Sequence, residues 1–198
     1  HVTAAFDLSQ QAARHMLPRG RGKIINVGSI MCWEAGLNIP SGLHRRIADV
    51  PALAQAAERL GRRIDDIRHP REPQPIGRGS RRPGKRLLTV GTDCAVGKMY
   101  ASLAITRELR SRGAPARFRA TGQTGNFIAG EGVCVDAVVS DFISGSVEAL
   151  SPAIAPDQWD VIEGQGSLFH PAYAGVPLGL IHGSQPDAIV VCHEARRE

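Results

Sequence analysis

Residues 86–99 read RLLTVGTDCAVGKM. An aliphatic run, Leu87, Leu88 and Val90, meets a glycine turn, and Gly97-Lys98 then opens an amphipathic segment. Strand, loop and helix in this order make a phosphate-binding loop. Backbone N–H groups at the helix start cradle an anion, and a lysine reaches the outer phosphates. The residues expected around that anion are Gly91, Thr92, Asp93, Cys94, Ala95, Val96, Gly97, Lys98 and Met99. Two positions depart from the general pattern GxxxxGK[ST]. Thr92 stands where the pattern has glycine, with Gly91 one residue earlier, and Met99 replaces the hydroxyl that holds Mg²⁺. A thioether is a poor ligand for a hard cation. The loop is therefore expected to hold a pyrophosphate through N–H groups and Lys98, from ATP or from a carrier such as acetyl-CoA, with a Mg²⁺ role doubtful. The plain alternative is a tight turn with a solvated lysine.

Other residue types that carry chemistry fall after further strand-like runs. Glu163 ends Trp159-Asp-Val-Ile-Glu163, where it resembles the Mg²⁺-associated acid of nucleotide-binding proteins or serves as a base; a solvated loop acid is the alternative. Asp141 follows Val138-Val139-Ser140 and is a second possible metal ligand. Thr121, Gly122 and Gln123 open the glycine-rich turn Thr121-Gly-Gln-Thr-Gly125. His170, His182 and His193 lie near strand ends or glycine turns, and a neutral imidazole accepts protons near neutral pH. His170 joins Glu163 as a candidate catalytic base, although a structural or surface histidine is the ordinary reading of each. Cys94 sits where loop amides and a helix dipole would favour a thiolate, but a small loop-filling residue explains it as well.

These residues need a scaffold that gathers them. From Arg86 the chain alternates strand, turn and helix: strands at Leu87–Val90, Ala116–Ala120, Trp159–Glu163 and Ala188–Cys192, a short one at Val138–Val139, and a helix at Met99–Arg112 closed by Gly113. Repeated βα units imply a parallel sheet, and loops 91–98, 121–125 and 163–170 would converge at one edge of it. Upstream, residues 4–17 have helical spacing and Lys23–Val27 reads as a strand. Asp49 is expected to cap a helix with Pro51 in its first turn, stopped by Gly61. The proline- and glycine-rich stretch 68–85 reads as linker.

The bulk properties fit an ordinary globular protein: 198 residues, 42% hydrophobic and 22% charged. No apolar run is long enough to span a membrane, and the first residues lack a signal peptide's basic and apolar blocks. The lack of an initial Met and the abrupt end suggest a fragment. Four widely spaced cysteines without a CxxC pair argue against a metal-site framework and for free thiols, so a cytoplasmic setting is expected. Residues 1–86 hold 16 Lys/Arg against 7 Asp/Glu, a net +9; residues 87–198 hold 8 against 12, a net −4. The basic excess peaks in GRGSRRPGKR, which has no interleaved aromatics, so a solvated stretch is expected rather than a nucleic-acid surface. A small-molecule substrate is the expected partner, with neither nucleic acid nor membrane, and homo-oligomers are left open.

Two stretches resemble known families. The run SQQAARHMLPRGRGKIINVGSIMCWEAGLNIPS resembles the central helix, strand and catalytic-serine segment of short-chain dehydrogenases, with Ser29 at the serine position. That family's tyrosine and lysine do not follow Pro40-Ser41, and its glycine motif is missing, so no dehydrogenase activity is expected. Residues 45–198, through RIADVPALAQAAERLGRRIDDIRHP, GKRLLTVGTDCAVGKM, ATGQTG, DAVVSDF and WDVIEGQGSLFHPAYAGVPLGLIHGSQPDAIVVCHE, resemble the D-glutamate N-acetyltransferase family. The loop and EGQG also resemble dethiobiotin synthetase. The resemblance implies a P-loop α/β fold and acetyl transfer from acetyl-CoA to the amine of D-glutamate, the acceptor held by basic side chains such as Arg119. The alternatives are an ATP-dependent ligase or kinase and an inactive nucleotide-binding module. The expected organisation is a dehydrogenase-like piece at 1–44, a helix and linker at 45–85, and a P-loop α/β domain at 86–198.

Overall fold

The computed structural model describes residues 14, 18, 39–70 and 72–196. Apart from Arg14, the helix expected at 4–17 lies outside these, as do the strand at Lys23–Val27 and Ser29. The chain divides into two compact units, residues 1–68 and 69–198.

In the first unit, β1 (Ile39–Ser41) and β2 (Ile64–Asp66) pair in parallel, joined by a short 3₁₀ turn (Ile47–Asp49) and helix α1 (Pro51–Arg59). Asp49 does not cap α1. The cap position is Val50, without a side-chain bond, and the proline at the first helical position starts the helix instead. The N–H groups of Ile47 and Ala48 donate to the Asp66 carboxylate at 2.9 and 3.0 Å. Ile47, Ala56 and Ala57 form the buried side.

The second unit is a four-stranded parallel sheet of order β4-β5-β3-β6. In chain order its elements are β3 (Lys85–Gly91), α2 (Lys98–Ser111), β4 (Ala116–Arg119), α3 (Gln123–Ala129), a 3₁₀ turn (Val135–Ala137), α4 (Ser140–Leu150), β5 (Trp159–Ile162), α5 (Gly175–Ser184) and β6 (Ala188–Cys192). Central β3 is buried along nearly its whole length, as a strand covered on both faces must be. Leu88, Val90 and Ile162 pack with Val135, Ile143, Val147 and Leu180 of the overlying turn and helices. Val138–Val139 is not a strand: it links the 3₁₀ turn to α4, and Val139 is exposed. The turn expected at 121–125 tightens into α3, with Gly122 at its cap position.

The stretch read as linker is a strap on this unit. Gly77 lies against Ser144 and Gly145 of α4, and a side chain on Gly145 would collide with the Pro75 carbonyl. The N–H groups of Arg78 and Gly79 donate to Glu148 Oε2 at 2.8 and 3.1 Å. Arg82 donates to the Gly183 carbonyl at 2.7 Å, and Gln185 Nε2 to the Gly79 carbonyl at 2.7 Å. Glycines there permit close backbone approach rather than mobility. No helix among the described residues is long and apolar enough to cross a membrane.

Candidate functional site

Parallel strands all end at one edge, so the segments after β3, β4, β5 and β6 gather there. The loop after β3 turns through Ala95 (φ 54°) and Gly97 (φ 92°), both left-handed, before α2 begins at Lys98. A loop of this kind concentrates N–H groups at the start of a 14-residue helix. Lys98 is 7% exposed, and its Nζ donates to the Asp93 carbonyl at 2.9 Å. Two glycines make room for that side chain. A Cβ on Gly91 would stand 2.8 Å from Lys98 Nζ, and one on Gly164 would stand 3.1 Å from Lys98 Cδ and collide with the Thr89 carbonyl. The Asp93 carboxylate accepts the Cys94 N–H at 2.6 Å. Cys94, Val96 and Met99 are half-buried, and Ala95 is exposed.

Thr89, fully buried in β3, ties three segments together. Its hydroxyl accepts the Gly164 N–H at 2.9 Å and lies 2.9 Å from Ser102 Oγ, which donates to the Lys98 carbonyl at 2.9 Å. The helix start that presents Lys98 is thereby fixed to the loop after β5. Sequence reasoning missed both hydroxyls. The signal was there: Thr89 shares the face of Gly91 at strand period two, and Ser102 lies one helical turn beyond Lys98.

Glu163 is not a solvated loop acid. It is 2% exposed, and its Oε2 accepts the N–H groups of Thr121 and Gly122 at 2.9 and 3.1 Å. Thr121 Oγ1 donates to the Glu163 carbonyl at 2.5 Å. Burial pushes the Glu163 carboxyl above the usual carboxylate range; the two amides and Gln165 pull it back, and nearby Asp136 adds to the rise. A side chain on Gly125 would collide with Glu163 Oε2. Thr121 and Gly122 therefore serve the carboxylate in this structure, and Gln123 follows as the first residue of α3. Asp141 is exposed in the first turn of α4. Among the described residues, no cluster of three or more His, Cys, Asp or Glu is arranged to hold a metal, so Asp141 and Glu163 do not come together in one.

His170 is exposed; its N–H donates to Ser167 Oγ at 3.1 Å, its Nδ1 accepts the Ala172 N–H at 3.2 Å, and its ring lies 4.6 Å from that of Tyr173. His182 is exposed in the last turn of α5. His193, directly after β6, meets Thr92 Oγ1 through Nδ1 at 2.9 Å. Burial also pushes the Cys192 thiol up, against the opposing charge of Lys98. Arg119 is not free for a substrate: its Nε donates to Asp160 Oδ1 at 2.8 Å, with Asp160 fully buried and Arg119 9% exposed.

Comparison with known proteins fits this arrangement. Residues 75–198 match the family described as "Domain of unknown function (DUF1611_C) P-loop domain", and residues 31–70 match "Domain of unknown function (DUF1611_N) Rossmann-like domain". The chain is 52% identical over 168 residues to a D-glutamate N-acetyltransferase of Tritonibacter scottomollicae, covering 85% of this chain and 50% of that protein. It is 52% identical over 164 residues to one from Pseudoalteromonas sp., covering 83% and 49%. The chain thus spans about half the length of these relatives. A 41-residue likeness, 44% identical, links 21% of the chain to 16% of a 2-dehydro-3-deoxy-D-gluconate 5-dehydrogenase of Bacillus subtilis. The crystal structure of a DUF1611 family protein from Anabaena variabilis superposes with a TM-score of 0.77 at 36% identity, over 90% of this chain and 54% of that one. With its phosphate-type loop on a parallel sheet and both family models matched in order, the chain belongs to the DUF1611 family.

Proposed function

We propose that this chain carries the loop edge of an N-acetyltransferase, binding acetyl-CoA at residues 91–98 and passing the acetyl group to the amine of D-glutamate or a similar amino dicarboxylate. The observation that carries this reading is Lys98. Its ammonium is buried in a glycine-walled slot at the start of α2, donating to the Asp93 carbonyl, where a phosphate seated on the loop amides would meet it. The amides around Ala95 and Gly97 offer donors for the pyrophosphate or for the oxyanion that develops on acyl transfer. Met99 offers a thioether where a Mg²⁺-dependent loop has a hydroxyl, so the donor set does not suit Mg²⁺, and no step here runs through that ion. The names of the two relatives support the acyl-transfer class.

Release of free CoA from acetyl-CoA, measured with and without D-glutamate, tests the reading. Release that needs D-glutamate and persists in a chelator is expected. Strict Mg²⁺ dependence with ADP formation from ATP would replace it with a ligase or kinase. Lys98→Ala should erase the thermal stabilisation by acetyl-CoA, which is worth about 2.7 kcal/mol at a hundred times the dissociation constant. An unchanged thermal response in that variant removes the phosphate site.

A further inference from the structure

We propose that His193 is the group that takes the proton from the acceptor amine, with Thr92 setting the orientation of its ring; this rests on the acetyl-transfer reading above. β6 ends at Cys192, so His193 emerges at the same sheet edge as the Lys98 loop. The contact between Thr92 Oγ1 and His193 Nδ1 spans 2.9 Å. Thr92 is itself held on two further sides. Its N–H donates to the Cys192 carbonyl at 3.1 Å, and its own carbonyl accepts Ser167 Oγ at 3.0 Å. The imidazole is thus oriented by an anchored hydroxyl, while its Nε2 makes no hydrogen bond among the described residues and the ring is exposed. When Nδ1–H donates to Thr92, the Nε2 lone pair is left to accept a proton.

The other titratable side chains of this edge are less suited. His170 accepts the Ala172 N–H at Nδ1, which places the neutral ring's proton on Nε2. Glu163 is buried and gives Oε2 to two amides. The charged or titratable groups on the segments adjoining His193 are Asp93, Cys94 and Lys98 of the loop, and Cys192 and Glu194 on its own strand end. Thr92, a departure from glycine in the general loop pattern, thereby has a use for its hydroxyl.

In the transfer, His193 Nε2 takes one proton from the acceptor ammonium. The freed nitrogen pair attacks the thioester carbonyl carbon, forming C–N as the carbonyl π pair moves to oxygen. The pair returns, C–S breaks, and the CoA thiolate takes the proton from His193. The nitrogen's second proton leaves to solvent, giving amide, free thiol and one proton.

The test uses the full chain. His193→Gln should lower kcat at least about 100-fold, the scale of a lost general base, and abolish the acid limb of the pH–rate profile. The KM for acetyl-CoA and the thermal stabilisation by acetyl-CoA should hardly move. Thr92→Val should lower kcat about tenfold, and Thr92→Ser should restore it. A His193→Gln chain with near-normal kcat and an intact acid limb overturns the proposal. Ring ¹⁵N NMR gives a readout independent of turnover. An Nδ1–H ring in the wild type that is lost in Thr92→Val supports the pair, and an Nε2–H ring overturns it. If the wild-type chain transfers no acetyl yet shows the Nδ1–H ring, the acetyl reading fails and the Thr92–His193 pair stands.

Discussion

Two buried carboxylates, Asp160 within β5 and Glu163 directly after it, are met by different chemistry. Asp160 meets a guanidinium, with its Oδ1 2.8 Å from Arg119 Nε, and Arg82 and Arg86 are nearby. Arg86 is 3% exposed and donates to five backbone carbonyls, those of Arg82, Pro83, Gly84, Ser151 and Pro152. Glu163 meets backbone amides, the Gln165 side chain and a threonine-bound loop. Toward the strand's start, the Arg119–Asp160 ion pair joins β4 to β5, and the Arg86 guanidinium ties the strap to the sheet through backbone carbonyls. At its end the Glu163 carboxylate is met by neutral dipoles. The ion pair thus joins β4 to β5 within the strands, and the amide-held carboxylate joins β5 to the segment after β4.

That contrast predicts its own largest effect. Asp160→Ala strands buried Arg119 without its counter-ion, and should cost about 3–5 kcal/mol of unfolding free energy in urea. Arg119→Met with Asp160→Leu should cost less than either single change, as paired removal leaves no orphaned charge. A loss below about 1 kcal/mol for Asp160→Ala, no more than a surface ion pair contributes, would erase the distinction between the two ends. Thr89→Val probes the dipole-built end. It keeps the shape but leaves the Gly164 N–H without its acceptor, for about 1–3 kcal/mol. Thr89→Ser should recover most of that loss.

The smallest effect is one of pH. Burial raises the Glu163 carboxyl in the folded state, so the folded chain holds this proton more tightly than the unfolded chain does. Stability from this group is fully present below the unfolded carboxylate range and is lost as pH rises through the higher folded value. Glu163→Gln should flatten that stretch of the stability–pH curve. A wild-type curve that instead rises across the window would show that the amides outweigh burial.

Much of the second unit was legible because its signals are local. The strands at β3, β4, β5 and β6 and the helix after Lys98 follow from apolar runs, glycine turns and the i, i+4 spacing of Ala101, Ile105 and Leu109. Illegible features depended on distant partners. The strap resembles a linker in composition, and only α4 and the end of α5 give its glycines and arginines a purpose. Arg119 looked free to bind substrate because Asp160 is 41 residues away in sequence. Asp49 has the side chain of a cap, yet Asp66 takes the amides of that turn from the neighbouring strand. At the site, the loop could be read from its glycines and lysine, whereas the link from Thr92 to His193 spans 101 positions and leaves no spacing pattern behind.

Gln185 stands just past α5 with φ 47°, in a backbone region that suits glycine. Its side chain reaches the Gly79 carbonyl, which a glycine could not do. Replacing it with glycine would relax the backbone and at the same time unlatch the strap, so a gain in global stability would coincide with faster local opening. Amide exchange at Arg78 and Gly79, whose N–H groups rest on Glu148, would register that opening, while the unfolding midpoint moved the other way.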